Sequence, residues 1–566
     1  MKKIILVLIY IFTYYSVYPQ NWLWEKAIGP IRPGFGGVQA MVSDSFGNTY
    51  TLGVYIDTID FDPGPAIFNL TAPTNDRFIL KLNSAGNFVW AKSLAYYALS
   101  FAIDALSNVY VTGYFQGIID FDPGPGIFNL NSNGNEVPFV LKLNSAGNFI
   151  WAKAMVGGGA HGNSVATDNS CNVYITGGFN GTTDFDPGVG NYSLTSVYAT
   201  NDTYICKLDS SGNFVWAGAI GGPGPFDISY SIATDPSGSG DVYICGLFRD
   251  TTDFDPGPGT FNLVSTSQTN GDIFICKLDN SGNFSWAIKY YASLPIPGRF
   301  IAVDMLSNVY VTGSGTIQTD FDPDTGTYYL SPGPFPFITK VNSAGHFVWA
   351  KSAAGGKDIC LDASANIYTT GALSGTFDFD PDTSTTYNIT SCGGSIDFFI
   401  SKLDSAGYFN WATSGGGTNT EVGFGISVDA VSNVYCAGIF RSQFAIFSTD
   451  TIFNADTTMT YTNIFIAKYG SITTGNNELT NILLPVSLSP NPATNQLTID
   501  NGEWKIESVE VYDVMGESVI VSLTPSPSSS GEGSVRLDVS SLASGIYFVK
   551  VKGDKEERMG KFVKLN

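Results

Sequence analysis

Seven times along the chain the same three short phrases return in the same order, six times followed by a fourth, and no other feature constrains the fold as strongly. A strand of the SNVYVTG type carries Tyr50, Tyr110, Tyr174, Tyr243, Tyr310, Tyr368 and Tyr435. Before each lies a short apolar stretch ending in Asp44, Asp104, Asp168, Asp235, Asp304, Asp362 or Asp429. After each comes a FILKL-type strand with Lys81, Lys142, Lys207, Lys277, Lys340, Lys402 or Lys468. Six of these lead into NSAGNFVWAK-like segments bearing Trp90, Trp151, Trp216, Trp286, Trp349 and Trp411. All four phrases alternate, are β-branched or aromatic, and are bounded by Gly, Asn, Ser and Asp, which is the pattern of strands. They are named a, b, c and d. The a–b and c–d links are tight turns. Four-stranded antiparallel units repeated in this way predict a β-propeller.

The count also says how the ring closes. Strands a, b and c occur seven times, but d follows only six of them, and the last c strand, IFIAKYG, runs into a polar linker. The missing d pattern stands at the other end, in NWLWEKAIG at Asn21–Gly29, with Trp24 in register. Seven blades closed by the N-terminal strand follow, an arrangement that removes two exposed sheet edges. The repeats resemble those of secreted bacterial β-propeller proteins over residues 21–470. The resemblance implies the fold and specifies no ligand.

An Asp-Phe-Asp unit recurs between strands b and c, starting at Asp60, Asp120, Asp184, Asp253, Asp320 and Asp378, at spacings of 58 to 69 residues. In extended chain Asp60 and Asp62 face one way and Phe61 the other, and Pro63-Gly64 turns the chain back. The expectation is a small hairpin with Phe on the blade and both acids towards solvent. The rival reading is calcium, with Asp60, Asp62, Asp120, Asp122, Asp184, Asp186, Asp253, Asp255, Asp320, Asp322, Asp324, Asp378, Asp380 and Asp382 as ligands. Against it, Ca²⁺ takes 6–8 oxygens, commonly with a bidentate Glu and a glycine at the sixth loop position; Thr325 and Thr383 stand at that position, and no Glu follows regularly. Apart from this possible calcium no cofactor is expected. In the seventh repeat Ala445, Ile446 and Phe447 occupy the aligned positions, so that copy reads as missing. The Asp closing each a strand reads as a turn cap, and the c-strand lysines as buried stems with charge-paired heads.

Lys2 and Lys3 followed by an apolar run to about Tyr14 read as a secretory signal peptide, residues 1–20, too short to span a bilayer comfortably. No transmembrane segment is expected once it is removed. The first of seven cysteines is Cys171, so none follows the signal to carry a lipid, and their spacing is not a disulfide framework. The formal charge of −22 excludes nucleic acid as a partner, since phosphates require clustered Lys and Arg. Only two histidines are present, His161 and His346, which rules against a His-rich zinc site. No nucleophile elbow stands out. No catalytic residue is assigned, and the enzyme question stays open.

After a linker at 471–483 the chemistry changes. LSPNPATNQLTI, VEVYDVMGESV, LASGIYFVKV and KFVKLN follow in order. Residues 484–566 resemble the Por-type C-terminal sorting domain of the Bacteroidetes type IX secretion system, on Pro490, Asn491, Pro492, Gly516, Gly545, Tyr547, Lys561 and Lys564. The segment itself reads as a small Ig-like β-sandwich. The resemblance implies the type IX machinery as partner, transport across the outer membrane, cleavage of the domain there, and a propeller that is surface-anchored or released. The fold class is therefore all-β throughout.

Long, varied b–c and d–a connections such as MVGGGAHGNS, IGGPGPFDIS and SGGGTNTEVGFG share one face of a propeller, where binding belongs. With the six acidic turns assigned to that face, it is expected to be strongly negative and to suit cations, basic proteins or neutral glycans. A surface recognition or adhesion module is the leading reading. A secreted polysaccharide-active hydrolase and a purely structural surface protein are the alternatives.

Overall fold

The computed structural model describes residues 20–31, 37–266, 271–291, 300–316, 319–324, 326–330, 334–352, 356–382, 384–447, 450–454 and 461–471, and in the C-terminal part 484–485, 487–489, 493–500, 506–512, 518–519, 522–525, 534–543, 545–553 and 557–564. The expected signal peptide, residues 1–20, lies outside them apart from Gln20. The chain divides into two compact units, Met1–Ile472 and Thr473–Asn566. No helix among the described residues is long and apolar enough to cross a membrane.

Seven four-stranded sheets make up the first unit. Blade 1 runs from Gly37 to Leu94, blade 2 from Tyr97 to Ala154, blade 3 from Ser164 to Ile220 and blade 4 from Ile228 to Tyr291. Blades 5 and 6 span Phe300–Ser352 and Asp358–Gly415. Blade 7 takes its a, b and c strands from Glu421–Ser471 and its d strand from Gln20–Ile31. Trp24 pairs with Lys468 there, as Trp90 pairs with Lys81 and Trp411 with Lys402 in complete blades. Residues of the alternating strands that the sequence marks as apolar fill the spaces between blades, with Tyr50, Tyr110, Tyr174, Tyr243, Tyr310, Tyr368 and Tyr435 all buried.

The repeated polar residues tie blades together. In six blades the Asp closing strand a caps its own turn: Asp44 Oδ1 accepts from the Phe46 and Asn48 amides, and Oδ2 from Asn48 Nδ2 at 2.8 Å. Blade 4 has a longer turn, where Asp235 Oδ1 accepts from the Ser237 amide at 2.8 Å and Asp241 takes Lys277 at 2.8 Å. Every c-strand lysine lies over its blade's tyrosine ring, at 4.8 to 5.2 Å from the centroid. Lys81 Nζ and Trp90 Nε1 both donate to the Ser145 carbonyl in the c–d turn of the next blade, at 3.0 and 3.1 Å. Of the c-strand lysines, carboxylates approach Lys277, Lys340 and Lys402 among the described ion pairs. The expectation of charge-paired heads thus holds for these three; the partner common to all seven is the aromatic face, and Lys81, Lys142, Lys207 and Lys340 also donate to a neighbour's carbonyl. Glycine is required in those turns, since Gly147 has φ +75° and a Cβ there would meet Trp90 at 2.9 Å.

The Asp-Phe-Asp-Pro units do form hairpins; in blade 2 Ile118–Asp120 pairs with Asn129–Asn131. They do not stay on the b–c face. Each drops into the wedge between the outer strands of adjacent blades. Pro256 of blade 4 packs on Gly218 in the d strand of blade 3, and Asp253 N–H donates to the Gly221 carbonyl just beyond that strand. Phe261, on the returning arm, stacks at 4.7 Å on Phe284, the first residue of its own blade's d strand. His346, in a c–d turn, meets Asp324 of the blade 5 hairpin at 3.0 Å. The acidic turns therefore line the outer flank and point towards the c–d end. The strongly negative loop face expected from sequence is corrected accordingly.

The seventh copy is also corrected. Phe444–Phe447 pairs with Asp450–Phe453, and Ile446 bridges Gly416 as Asp253 bridges Gly221. Phe447 is fully buried against Trp22, Phe398 and Phe465, as Phe254 is against Phe248 and Phe274. One extra residue after Phe440 shifts the aromatic out of alignment while the wedge survives. The buried ring is common to all seven copies; the acids are not. Phe254→Ala is accordingly expected to cost about 3–5 kcal/mol, whereas Asp255→Asn, which keeps an oxygen for the Gly257 amide, changes stability by about 0.5 kcal/mol or less. Chemical denaturation compares the two, and a larger loss from the acid would reverse the assignment.

In the second unit, a five-stranded sheet containing Ile506–Tyr512, Gly545–Gly553 and Glu557–Lys564 and a four-stranded sheet containing Gln496–Asp500 and Ser534–Asp538 form a β-sandwich. Leu497, Ile499, Val511, Leu537, Val549 and Val551 are its buried core.

Candidate functional site

At the b–c and d–a end of blades 1 to 3, side chains from non-equivalent positions form a stacked column. Tyr97 and Tyr114 are directly opposed across the a and b strands of blade 2, a pairing that brings rings together. Their centroids are 4.9 Å apart at an interplanar angle of 3°. Arg77, from the c strand of blade 1, lies 4.8 Å from the Tyr97 ring. On the far side His161 stacks on Tyr114 at 4.0 Å and meets Glu136 at 2.8 Å.

Two backbone features place His161. Its N–H donates to the Gly178 carbonyl, and the next residue, Gly162, donates to Gly113. The loop approaches so closely that a Cβ on Gly177 would lie 1.9 Å from the His161 carbonyl. The faces of Tyr97 and Tyr114 are thus covered by their neighbours. What the column offers to a ligand is its edges: a guanidinium, two phenols, an imidazole and a carboxylate.

A cleft flanks each end. One, of about 450 Å³, is lined by Glu136, His161, Asn163, Asn180, Asn201 and Phe226, among others. The other, of about 410 Å³, lies between blades 7 and 1 and includes Gln39, Asn75, Arg77, Tyr97, Phe424 and Arg441. His161, Phe226 and Phe424 come from the three irregular loops that the sequence singled out. The loops were legible; the column was not, because Arg77, Tyr97 and Tyr114 sit in strand positions that look like any other member of the repeat.

Below this face, acids cluster in the seams between blades. Asp227 is fully buried, and Oδ1 accepts from the Arg249 amide and Thr252 hydroxyl, while Oδ2 has no partner. Burial, opposed by those hydrogen bonds and reinforced by the Asp202 carboxylate, pushes Asp227 up to about 7. Burial likewise raises Asp202 and, with Glu421 adding, Asp397, each to about 6. Carboxyls whose folded values lie above the unfolded ~3.9 contribute stability that is complete below that value and lost as pH rises through the folded one. The melting temperature is therefore expected to climb as pH falls from 8 to 5. Asp227→Asn should flatten much of that rise, and a melting temperature that falls over this range would contradict the assignment.

The sequence-nominated acids cap turns. Oδ1 of Asp60, Asp120, Asp184, Asp253, Asp320 and Asp378 accepts two amides each, as from Asp62 and Phe68 to Asp60 at 3.0 and 2.8 Å. Asp62, Asp122, Asp186, Asp255, Asp322 and Asp380 each accept one, from the residue two further on. Among the described residues no group of three or more His, Cys, Asp or Glu is placed to hold a metal ion.

Of the sorting residues, Pro490, Asn491, Pro492 and Gly516 lie outside the described residues. Gly545 opens a strand and pairs with buried Lys564, Lys561 pairs with Phe548, and buried Tyr547 donates to the Ala543 carbonyl at 3.0 Å.

Comparison with known proteins bears on the two units differently. Residues 487–565 match the secretion system C-terminal sorting domain. An uncharacterised WD repeat-containing protein of Acanthamoeba polyphaga mimivirus is 24% identical over 512 residues, covering 74% of this chain and 36% of that protein. An uncharacterised protein of Dictyostelium discoideum is 27% identical over 124 residues, covering 19% and 26%. The chain thus spans about a third or less of the length of these curated relatives. A solved protein of unknown function from Bacteroides caccae is 9% identical, covers 59% of this chain and 93% of its own, and has a TM-score of 0.26, too loose a likeness to argue from. The strands, the closure and the tail together make this chain a seven-bladed β-propeller carrying a C-terminal sorting domain of the type IX secretion system.

Proposed function

We propose that the propeller is a recognition module, displayed on the cell surface or released from it, that engages its ligand on the b–c and d–a face. The stacked column is the observation that carries this reading. It breaks the sevenfold repeat, joins residues of three blades and is held rigidly by strand pairing and backbone contacts. A rigid scaffold presenting irregular loops and a few convergent polar groups is the usual form of a binding site. The type IX tail supports a place for this module outside the outer membrane of a Bacteroidetes cell.

The test is binding of the purified protein to arrays of glycans and cell-surface proteins, compared with Tyr114→Ala and His161→Ala. Retention that both variants abolish while folding normally supports the reading. Retention indifferent to both would move the site elsewhere. Cleavage of a retained polysaccharide would favour the hydrolase alternative.

A further inference from the structure

All five arginines of the propeller segment, Arg32, Arg77, Arg249, Arg299 and Arg441, fall in the b–c or d–a connections or at the strand ends beside them, in a chain of formal charge −22. The lysines of the b–c–d repeat are spread through the c and d strands. Among the described residues Arg77, Arg249 and Arg441 place a planar, forked cation on this face. Two of the five, Arg77 and Arg441, line the same cleft between blades 7 and 1.

That cleft has unfinished hydrogen bonding. Arg77 is 8% exposed, and its Nη1 donates to the Asn75 carbonyl at 2.9 Å, but its buried Nε has no partner. Gln39, on the same cleft, carries a buried Oε1 that is also without a partner. Arg441 is held through Nε by Thr462 Oγ1 at 3.2 Å. Neither guanidinium has a carboxylate within ion-pair distance among the described ion pairs. Asp76 is a carboxylate that acts on Arg77, and its own oxygens accept from Thr74 and Ser93. Buried polar atoms left unpaired are exceptions that call for an explanation.

We propose that this cleft binds a carboxylate-bearing sugar unit of the uronic acid class, with Arg77 and Arg441 taking the carboxylate and Gln39 and Asn75 taking ring hydroxyls. The proposal rests on the recognition reading above and names its ligand. A guanidinium matches the planar carboxylate through two parallel N–H···O bonds, which a lysine cannot reproduce. Amide side chains supply both donors and acceptors for hydroxyls. Val38, Val54, Ile439 and Phe424 give the cleft apolar walls against which a sugar ring's C–H edges can rest. Its volume, about 410 Å³, is of the size that holds small molecules.

The experiment titrates the full chain with oligogalacturonate and oligomannuronate by calorimetry, alongside the methyl esters of the same oligosaccharides and sulfated neutral ones. The expected result is binding of at least one free uronate, weakened at least tenfold by methyl esterification. Arg441→Gln and Arg441→Lys should each lose tenfold or more, with melting temperature as the control for folding. Lys is the sharper variant, since it keeps the charge and loses the fork. Equal binding of acid and ester, full binding by the Arg441→Lys protein, preference for the sulfated sugars, or no uronate binding at all would overturn the proposal. Binding of neutral glycans that depends on His161 but not on Arg441 would overturn it while leaving the recognition reading intact.

Discussion

A chain that begins after Ile31 is expected to lose its closed ring and to self-associate. Blade 7 would keep three strands, and the register that joins Trp24 to Lys468 and Ile28 to Ile464 would vanish. Trp22, Ile28 and Ile31 would leave the core, and each large side chain removed from such a site is worth about 2–5 kcal/mol. Trp24 would also no longer donate to the Ser84 carbonyl of blade 1 at 3.0 Å. The exposed c strand of blade 7 presents an open row of backbone groups for another chain. Size-exclusion chromatography and thermal melting check this: oligomers and a much lower melting temperature are expected, with recovery on adding a peptide of residues 20–31. A monomer melting like the parent would show that closure contributes little.

Removing residues 484–566 should have the other large effect, on location. In a host with a functional type IX system, the truncated protein is expected in the periplasm and the full chain beyond the outer membrane, because the sorting domain is the segment that the machinery engages. Fractionation with a periplasmic marker reads this out. The truncated protein in the medium, without that marker, would contradict it. Two-unit organisation makes the experiment clean, since among the described residues the propeller's sheets take no strand from the part removed.

The architecture was legible because repetition averages out the ambiguity of any single strand. The missing d strand was found by counting, and Trp24 alone fixed its register. Three things escaped. Alternation tells which side of a strand Phe121 faces, but not that its hairpin will swing into the gap between blades and stack on Tyr96 at 4.3 Å. A single inserted residue hid Phe447, because alignment by the acids assumed that the acids were the invariant part. The column escaped for a different reason. Arg77, Tyr97, Tyr114 and His161 occupy unrelated positions in three repeats, and only the angular offset between blades brings them into one stack. Sequence periodicity reports what blades share, whereas this site is made of what they do not.

The pairing of Gln20 with Ser471 also sets an order of events in time. The first strand of the propeller is synthesised before every other part of it and finds its partner only after the last blade has emerged. Until then its edge and that of blade 7 are both open, and closing so long a loop is the slowest kind of contact to make. Six blades can assemble one upon another as they appear, each of the first five gripping the next through its lysine, its tryptophan or both. The seventh cannot. Completion of the ring is therefore a checkpoint that immediately precedes the sorting domain along the chain, so that a propeller with its last blade missing or damaged would reach the export step with its edges still unpaired.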